Sequence, residues 1–102
     1  MEINSKTIND TLYIYLKGEL DEHTAKNTRE SLDELFEKEN FKQVILDLYS
    51  LEFIDSTGVG VMIGRYKKLK QQNKSIYIAN PSIHAEKIFI MSGIYQIMPK
   101  ID

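Results

Sequence analysis

Residues 2–17 alternate between apolar and polar side chains in the way that is typical of β-strands. The alternation is clearest over residues 11–17, where leucine and isoleucine share one face and tyrosine the other. Residues 2–8 form a weaker strand pattern, with β-branched side chains among polar ones. Asn9 and Asp10 stand between the two strands and favour a tight turn, because both residue types tolerate a positive φ. The sequence therefore predicts an N-terminal β-hairpin.

Three later segments place apolar residues three or four positions apart, which is the spacing of an amphipathic helix. They cover about residues 22–38, a segment from residue 56 to about residue 72, and a segment that starts after residue 82. Asn73 and Gly93 are residue types that stop helices in a left-handed conformation. The predicted N-terminal capping residues are Asp21 for the first helix, Ser56 or Thr57 for the second and Ser82 for the third.

The apolar stretches between these helices predict further strands. Residues 44–48 are almost continuously apolar, which is typical of a strand covered on both faces, and residues 53–54 continue this buried path. Residues 76–79 predict another strand, and residues 94–98 a short last one. This order predicts an α/β fold with a mixed, mostly parallel sheet of four to five strands. The sheet would begin with the hairpin and carry helices mainly on one face.

Two predicted loops, residues 18–21 and residues 55–60, follow strands of this sheet. Functional sites of such sheets form in the loops at the carboxyl ends of the strands. Because adjacent parallel strands end at the same edge, we expect these two loops to lie close together.

The composition narrows the class of protein. The chain has 102 residues, 42% of them hydrophobic and 27% charged, which is enough for one folded domain. Its net charge is −2 and no basic stripe runs along it, so we expect no direct nucleic-acid partner. It has no cysteine, which excludes disulfides and thiolate chemistry. Neither a signal peptide nor an apolar run of about 20 residues is present, so we expect a cytoplasmic protein without a membrane partner.

The segment from Asp55 to Gly60 carries the most chemical information. A helix N-terminus presents free N–H groups and the positive end of the helix dipole, so a phosphate on Ser56 would be tolerated there. Gly58 and Gly60 are expected to leave room for an approaching surface. A plain helix start is the alternative interpretation. With Gly64, the glycines miss the dinucleotide-binding spacing GxGxxG, so we expect Gly64 to allow close helix–sheet packing instead.

Two catalytic interpretations of this segment are weak. A hydrolase could use Ser56 with His23 or His84, but the GxSxG motif of such a serine is absent. Acidic residues could suggest a metal or phospho-aspartate site, but their positions along the strands fit poorly, and capping or partner contact explains them more simply. These candidate acids are Asp21, Glu22, Asp47 and Asp55. We therefore predict no catalytic residue, no metal and no cofactor.

Residues 18–25 and 51–61, followed by residues 63–67 and 91–93, resemble the STAS domain of anti-sigma factor antagonists. The pair of motifs GELD at residues 18–21 and DSTG at residues 55–58 is far more specific than either alone. The run from Gly64 to Lys67 resembles the sporulation-type members, which act on the sigma-F system. The resemblance extends over nearly the whole chain.

This resemblance implies a STAS fold and a regulatory function that is not enzymatic. The implied partner is both an anti-sigma factor and a serine kinase, and binding to it releases a sigma factor. The kinase would phosphorylate Ser56, the complex would separate, and a PP2C-type phosphatase would reset the protein. Thr57 is a rival phosphoacceptor. The predicted partner-binding residues are Glu19, Asp21, His23, Asp55, Ser56, Thr57, Gly58, Val59 and Gly60.

The sequence departs from the family pattern after residue 93. Members usually continue through a strand to a further helix, whereas this sequence ends at Asp102. The expected organisation is one STAS domain over residues 1–102 without that helix, which would expose Ile94, Tyr95 and Ile97. Two other functions stay open, namely an unphosphorylated STAS scaffold that only assembles complexes and, less favoured, a small hydrolase.

Overall fold

A computed structural model describes residues 1–101 of the chain. Over these residues the chain forms six β-strands, three α-helices and one 3₁₀ turn. The strands are β1 (Glu2–Ile8), β2 (Thr11–Leu20), β3 (Gln43–Asp47), β4 (Leu51–Ile54), β5 (Ser75–Ala79) and β6 (Lys100–Ile101). The helices are α1 (Ala25–Lys38), α2 (Ser56–Lys70) and α3 (Ile83–Ser92), and the 3₁₀ turn is Ile94–Gln96.

The sheet has the strand order β1-β2-β3-β5-β6, with β4 paired to β2 outside this row. The β1–β2 pair is the predicted antiparallel hairpin, and Asn9 adopts a left-handed conformation with φ 54° in its turn. Every other strand pair is parallel. The predicted α/β fold with a mixed, mostly parallel sheet is therefore confirmed. The predicted number of strands was too low, because β4 is a separate strand.

Strand β2 is long enough to pair with two strands in succession. Its residues 11–15 pair with β3, and its residues 18–20 pair with β4. The register shifts between Gly18 and Glu19, and Gly18 has a φ of +115°, which a residue with a side chain rarely adopts. Residues 18–20 are therefore strand and not the predicted loop, since the glycine irregularity carries β2 from one partner to the next.

The helices cover one face of the sheet, as predicted. The buried face is formed by alternate residues that are aligned across β2, β3 and β5, such as Leu12, Val44 and Ile76. The opposite face is half-exposed and carries Tyr13, Tyr15, Ile45 and Tyr77. The expectation that residues 44–48 are covered on both faces was wrong, because Ile45 points to this open face. Within residues 1–101, no helix has both the length and the apolar character that crossing a bilayer requires.

The ends of several elements differ from the sequence prediction. Helix α1 begins at Ala25, three residues later than predicted. Residues 94–98 begin as a 3₁₀ turn, and the last described strand is β6 beside β5. Ile94 is 1% exposed and belongs to the core, so its expected exposure was wrong. Ser82 caps α3 and Gly93 ends it in a left-handed conformation, both as predicted.

A charged cluster joins α1 to α2. Arg65 is 9% exposed, and its Nε lies 3.1 Å from Asp33 Oδ1. The N–H is not aligned for a hydrogen bond, so the attraction is that of an ion pair. Burial lowers the pKa of Arg65, and Asp33 partly opposes this shift. Lys68 Nζ lies 3.4 Å from the same carboxylate oxygen. The helix that begins at Ser56 is thus tied electrostatically to α1.

A second polar cluster ties the end of the described chain to α3. Tyr95 Oη donates a hydrogen bond of 2.8 Å to Glu86 Oε1, and Lys100 Nζ donates one of 2.9 Å to the same atom. Both hydrogen bonds lower the pKa of Glu86, and the one from Lys100 has the larger effect. Burial and the contact with Glu86 raise the pKa of Tyr95. Strand β6 is therefore fastened to α3 by a charge-assisted contact.

Candidate functional site

The N-terminus of α2 presents an exposed hydroxyl pair. Ser56 and Thr57 are the first two residues of the helix, and both are exposed. The capping residue is Asp55, whose Oδ1 accepts a 2.9 Å hydrogen bond from the Gly58 amide. The prediction that Ser56 or Thr57 caps α2 was therefore wrong. Because Asp55 does the capping, the hydroxyls of both residues stay free of that role and face outward.

Gly58 fixes this helix end against strand β2. A β-carbon at Gly58 would lie 2.5 Å from the carbonyl oxygen of Leu20 and 2.7 Å from a side-chain carbon of Ile54. Such distances are too short for any real side chain, so only glycine fits here. Gly58 is buried and faces its own fold, not an approaching surface as expected. Gly60 is exposed with open space around it, as expected, whereas Gly64 also has open space and does not mediate close packing.

The segment after β2 is a turn organised by Asp21. Its Oδ1 accepts hydrogen bonds from the His23 amide at 2.9 Å and the Thr24 amide at 3.1 Å. Thr24 Oγ1 donates to the Glu19 carbonyl oxygen at 2.8 Å. Thr24, not Asp21, occupies the N-cap position of α1, and it makes no side-chain capping bond. The carboxylate of Asp21 therefore shapes the turn before the helix, where it remains partly exposed.

Strand pairing brings the two segments together. Glu19 and Leu20 of β2 pair with Phe53 and Ile54 of β4. The amide of Asp55 then donates a 3.3 Å hydrogen bond to the Leu20 carbonyl oxygen. Both segments leave the sheet at this point, one toward α1 and the other into α2. The two segments that were predicted as loops, residues 18–21 and residues 55–60, therefore lie close together, as expected.

The two segments that the strand pairing brings together are rich in carboxylates. Glu19, Glu22 and Glu52 are exposed, and Asp21 and Asp55 are half-exposed. His23 is exposed, with its Nε2 3.8 Å from a Glu22 carboxylate oxygen. Val59 is only 6% exposed and packs in the core, so its side chain does not reach this surface. These exposed carboxylates give the two paired segments a negative charge.

The surface clefts and the metal-ligating side chains bear on the two catalytic interpretations of this segment. Three clefts of about 120, 300 and 290 Å³ indent the surface, and none of these three is lined by Ser56. The His84 ring stacks on Phe53 with centroids 5.4 Å apart. Within the described chain, no three side chains of the metal-ligating types His, Asp and Glu come together as a metal site would need.

The sequence prediction missed several apolar side chains that are exposed on β4 and α3. Phe53, predicted as part of a buried path, is 41% exposed. Helix α3 exposes Ile83, Ile90 and Met91 on its outer side, at 80%, 65% and 87%. The signal was present in the sequence, because α3 has apolar residues on both its sides, whereas a helix on a core needs them on only one.

These features define a small mixed-sheet α/β domain with an exposed serine at a helix N-terminus, framed by carboxylates. The family model for the STAS domain matches residues 2–102, and the chain belongs to this family. The resemblance identified from residues 18–25 and 51–61 is thereby confirmed.

Relatives of known name support the family. A Paenibacillus polymyxa protein named anti-sigma F factor antagonist is 35% identical over 104 residues, covering 100% of this chain and 87% of that protein. A Staphylococcus epidermidis protein named anti-sigma-B factor antagonist is 32% identical over 100 residues, covering 96% of this chain and 92% of that protein.

Two solved structures have the same fold over nearly the whole chain. The anti-sigma factor antagonist SpoIIAA in its unphosphorylated form superposes with a TM-score of 0.81 at 27% identity, covering 99% of this chain and 89% of that one. The phosphorylated form of the Bacillus cell fate determinant SpoIIAA gives a TM-score of 0.73 at 27% identity, covering 99% and 92%. The chain is thus similar to a protein that was solved in two phosphorylation states.

Proposed function

We propose that this chain is an anti-sigma factor antagonist that binds an anti-sigma factor with serine kinase activity and is inactivated by phosphorylation of Ser56. Binding occupies the anti-sigma factor and so releases a sigma factor. The observation that carries the proposal is the exposed Ser56 at the start of α2, held beside Asp21 through the pairing of β4 with β2.

The relatives support the first half of this proposal. Proteins named as antagonists of anti-sigma F and anti-sigma-B factors match this chain over most of their length. The existence of a phosphorylated and an unphosphorylated form of the similar SpoIIAA supports the second half. The run from Gly64 to Lys67 favours the sigma-F, sporulation-type branch over the sigma-B branch.

The geometry around Ser56 suits a switch that leaves the fold intact. A phosphate adds about −1.5 to −2 charges at pH 7. At the N-terminus of a helix this charge is tolerated by the helix dipole, so α2 need not unwind. The charge instead enters a region in which the two paired segments already carry exposed Glu19, Glu22 and Glu52. A partner that matches the unmodified surface would lose affinity through repulsion and desolvation, and about 1.4 kcal/mol is enough for a tenfold loss.

Further parts of the proposal concern the cellular setting. A PP2C-type phosphatase removes the phosphate, the protein acts in the cytoplasm, and residues 1–102 act in it as one STAS domain. It performs no catalysis itself. The contact residues are those with exposed atoms on the surface around Ser56: Glu19, Asp21, His23, Asp55, Thr57 and Gly60. Gly58 and Val59 are buried and act by positioning the others.

The test is an intact-mass measurement after incubation with ATP and the purified anti-sigma factor kinase of the same genome. We expect a gain of one phosphate, about 80 Da, which maps to Ser56 and weakens the complex. Ser56→Ala should gain none, and Thr57→Ala, the matched control on the neighbouring hydroxyl, should be labelled as the wild type is. No labelling of the wild type by an active kinase that still binds it would leave an unphosphorylated STAS scaffold.

A further inference from the structure

We infer that Thr24 is a positioning residue, whose hydroxyl holds the Asp21 carboxylate in place for the anti-sigma factor. The inference rests on the proposed function, in which Asp21 is a contact residue. Thr24 is only partly exposed, and its hydroxyl both accepts and donates a hydrogen bond within the described chain. The role of Thr24 is therefore to act through Asp21, and it needs no contact of its own with the partner.

Asp21 and Thr24 hold each other by a reciprocal pair of hydrogen bonds. The Thr24 amide donates to Asp21 Oδ1 at 3.1 Å, and the Asp21 amide donates to Thr24 Oγ1 at 3.0 Å. This arrangement resembles a capping box, in which two residues three positions apart satisfy each other's backbone amides. The Ala25 amide also donates to the Asp21 carbonyl oxygen at 2.9 Å, as in a helix. The turn from Asp21 to Thr24 is therefore held at both of its ends.

The Thr24 hydroxyl also ties this turn to the sheet. Thr24 Oγ1 donates to the Glu19 carbonyl oxygen at 2.8 Å, and Glu19 is the residue of β2 that pairs with Phe53 of β4. One hydroxyl thus bonds to the strand before Asp21 and to the amide of Asp21 itself. Thr24 stands at the N-cap position of α1 and makes no side-chain capping bond there. Its hydroxyl is used for the turn and the strand instead.

The Asp21 carboxylate keeps one oxygen for a partner. Within residues 1–101 its side-chain contacts all involve Oδ1, which meets the amides of His23 and Thr24 and lies 3.4 Å from Thr24 Oγ1. Oδ2 is therefore available, and Asp21 is half-exposed. A carboxylate that is already held in one orientation loses less conformational freedom when a basic group bonds to it. The Thr24 hydroxyl would thus increase the affinity for the anti-sigma factor by preorganising Asp21.

A purely structural role of Thr24 makes different predictions. The hydrogen bonds of its hydroxyl lie in a partly exposed turn, where water can replace a lost partner, so the fold should persist without the hydroxyl. A structural role would change the melting temperature and leave the affinity for the partner as it is. A positioning role changes the affinity, and it does so only while the Asp21 carboxylate is present.

The first test uses the free protein and Thr24→Val, which replaces the hydroxyl by a methyl group of nearly the same size. Hydrogen exchange of single amides is followed by NMR. We expect the Asp21 amide to exchange about tenfold faster, because its acceptor is lost. Thr24→Ser keeps the hydroxyl, and its Asp21 amide should exchange as in the wild type. An Asp21 amide that exchanges equally slowly in Thr24→Val would overturn the inference.

The second test compares dissociation constants for the purified anti-sigma factor kinase of the same genome, measured by calorimetry. We expect Thr24→Val to bind about fivefold more weakly and Thr24→Ser to stay within about twofold of the wild type. The matched control is Thr7→Val, because Thr7 Oγ1 also donates a 2.8 Å hydrogen bond but lies beside Leu12, near the hairpin turn and far along β2 from Glu19. This control should also stay within about twofold.

A double-mutant cycle separates this inference from the proposed function. In Asp21→Asn protein, the added Thr24→Val change should weaken binding by less than about twofold, since the charge that Thr24 positions is gone. An undiminished loss in that background, or an unchanged affinity of Thr24→Val alone, would overturn the inference and leave the proposed function standing. A wild-type protein that does not bind the active kinase would overturn both.

Discussion

The carbonyl oxygen of Leu20 occupies the space that a side chain at Gly58 would need, 2.5 Å from the position of its β-carbon. This contact joins the end of β2 to the first turn of α2. Asp21 follows directly after Leu20, and Ser56 lies two residues before Gly58. The mutual position of the two candidate segments is therefore set by backbone packing and does not depend on flexible side chains.

The first prediction concerns Gly58→Ala. The added methyl group must displace backbone or core atoms, so we expect the free energy of unfolding to fall by about 1–3 kcal/mol. Gly64→Ala is the matched control, since Gly64 lies in the same helix with open space around it. That variant should be stabilised by about 0.5–1 kcal/mol, because alanine favours helix more than glycine does. Urea denaturation measures both, and equal effects would contradict the packing role of Gly58.

The second prediction concerns Asp21→Asn. An asparagine oxygen can still accept the amide hydrogens of His23 and Thr24, so the turn should persist while the charge disappears. We expect a roughly threefold to tenfold weaker complex with the anti-sigma factor, mainly through a slower and less salt-dependent association. Association rates at several salt concentrations measure this. An unchanged rate and affinity would remove Asp21 from the binding surface.

The third prediction concerns the pair between Asp33 and Arg65. Asp33→Asn leaves the buried guanidinium without its nearest anion, and we expect a loss of about 2 kcal/mol in the free energy of unfolding. Asp10→Asn is the control, because Asp10 and Lys42 form an exposed pair 3.6 Å apart. Its loss should stay below about 0.5 kcal/mol. Similar losses in the two variants would show that the buried Asp33–Arg65 pair stabilises the fold no more than an exposed ion pair does.

The fourth prediction concerns pH and Glu86. Lys100 and Tyr95 hold the pKa of Glu86 below its ordinary value of 4.5. A depressed pKa stabilises the fold above the pKa of the unfolded chain, and this contribution is lost as the pH falls through the folded-state pKa. Glu86→Gln should therefore lower the melting temperature at pH 7, and the difference from the wild type should shrink below about pH 4.5. A difference that is constant from pH 7 to about pH 3 would contradict this role.

The elements with regular periodicity could be predicted from the sequence, and the irregular ones could not. Strand β4 has the burial pattern buried, exposed, exposed, buried, which shows no alternation that a sequence can reveal. The continuation of β2 past Gly18 was hidden because glycine usually indicates a loop, while here its positive φ carries the strand from β3 to β4. The sequence also does not show which face of the sheet is left open. An isoleucine such as Ile45 is compatible with a covered face and with an open one.

The candidate site was predicted in location but not in its details. The capping residue types at positions 55–57 correctly predicted that Ser56 lies at the N-terminus of α2. Asp55, Ser56 and Thr57 are all good capping residues, however, and in the structure Asp55 is the one that caps α2. Exposed apolar residues on α3 look like core residues until the sheet shows which side of the helix is covered. Tertiary packing supplied both of these answers.

The capping of α2 by Asp55 also has a consequence for the removal of the proposed phosphate from Ser56. A phosphoryl group that folded back onto a vacant helix end would be sheltered by its own protein and slow to remove. At α2 the Gly58 amide is already held by the Asp55 carboxylate, which also repels a second anion. Asp55→Asn should keep the cap but remove this repulsion, so that the helix dipole holds the phosphate closer and dephosphorylation by the phosphatase becomes slower. An unchanged rate would contradict this. The N-cap residue Asp55 would then also determine how long the phosphate stays on Ser56.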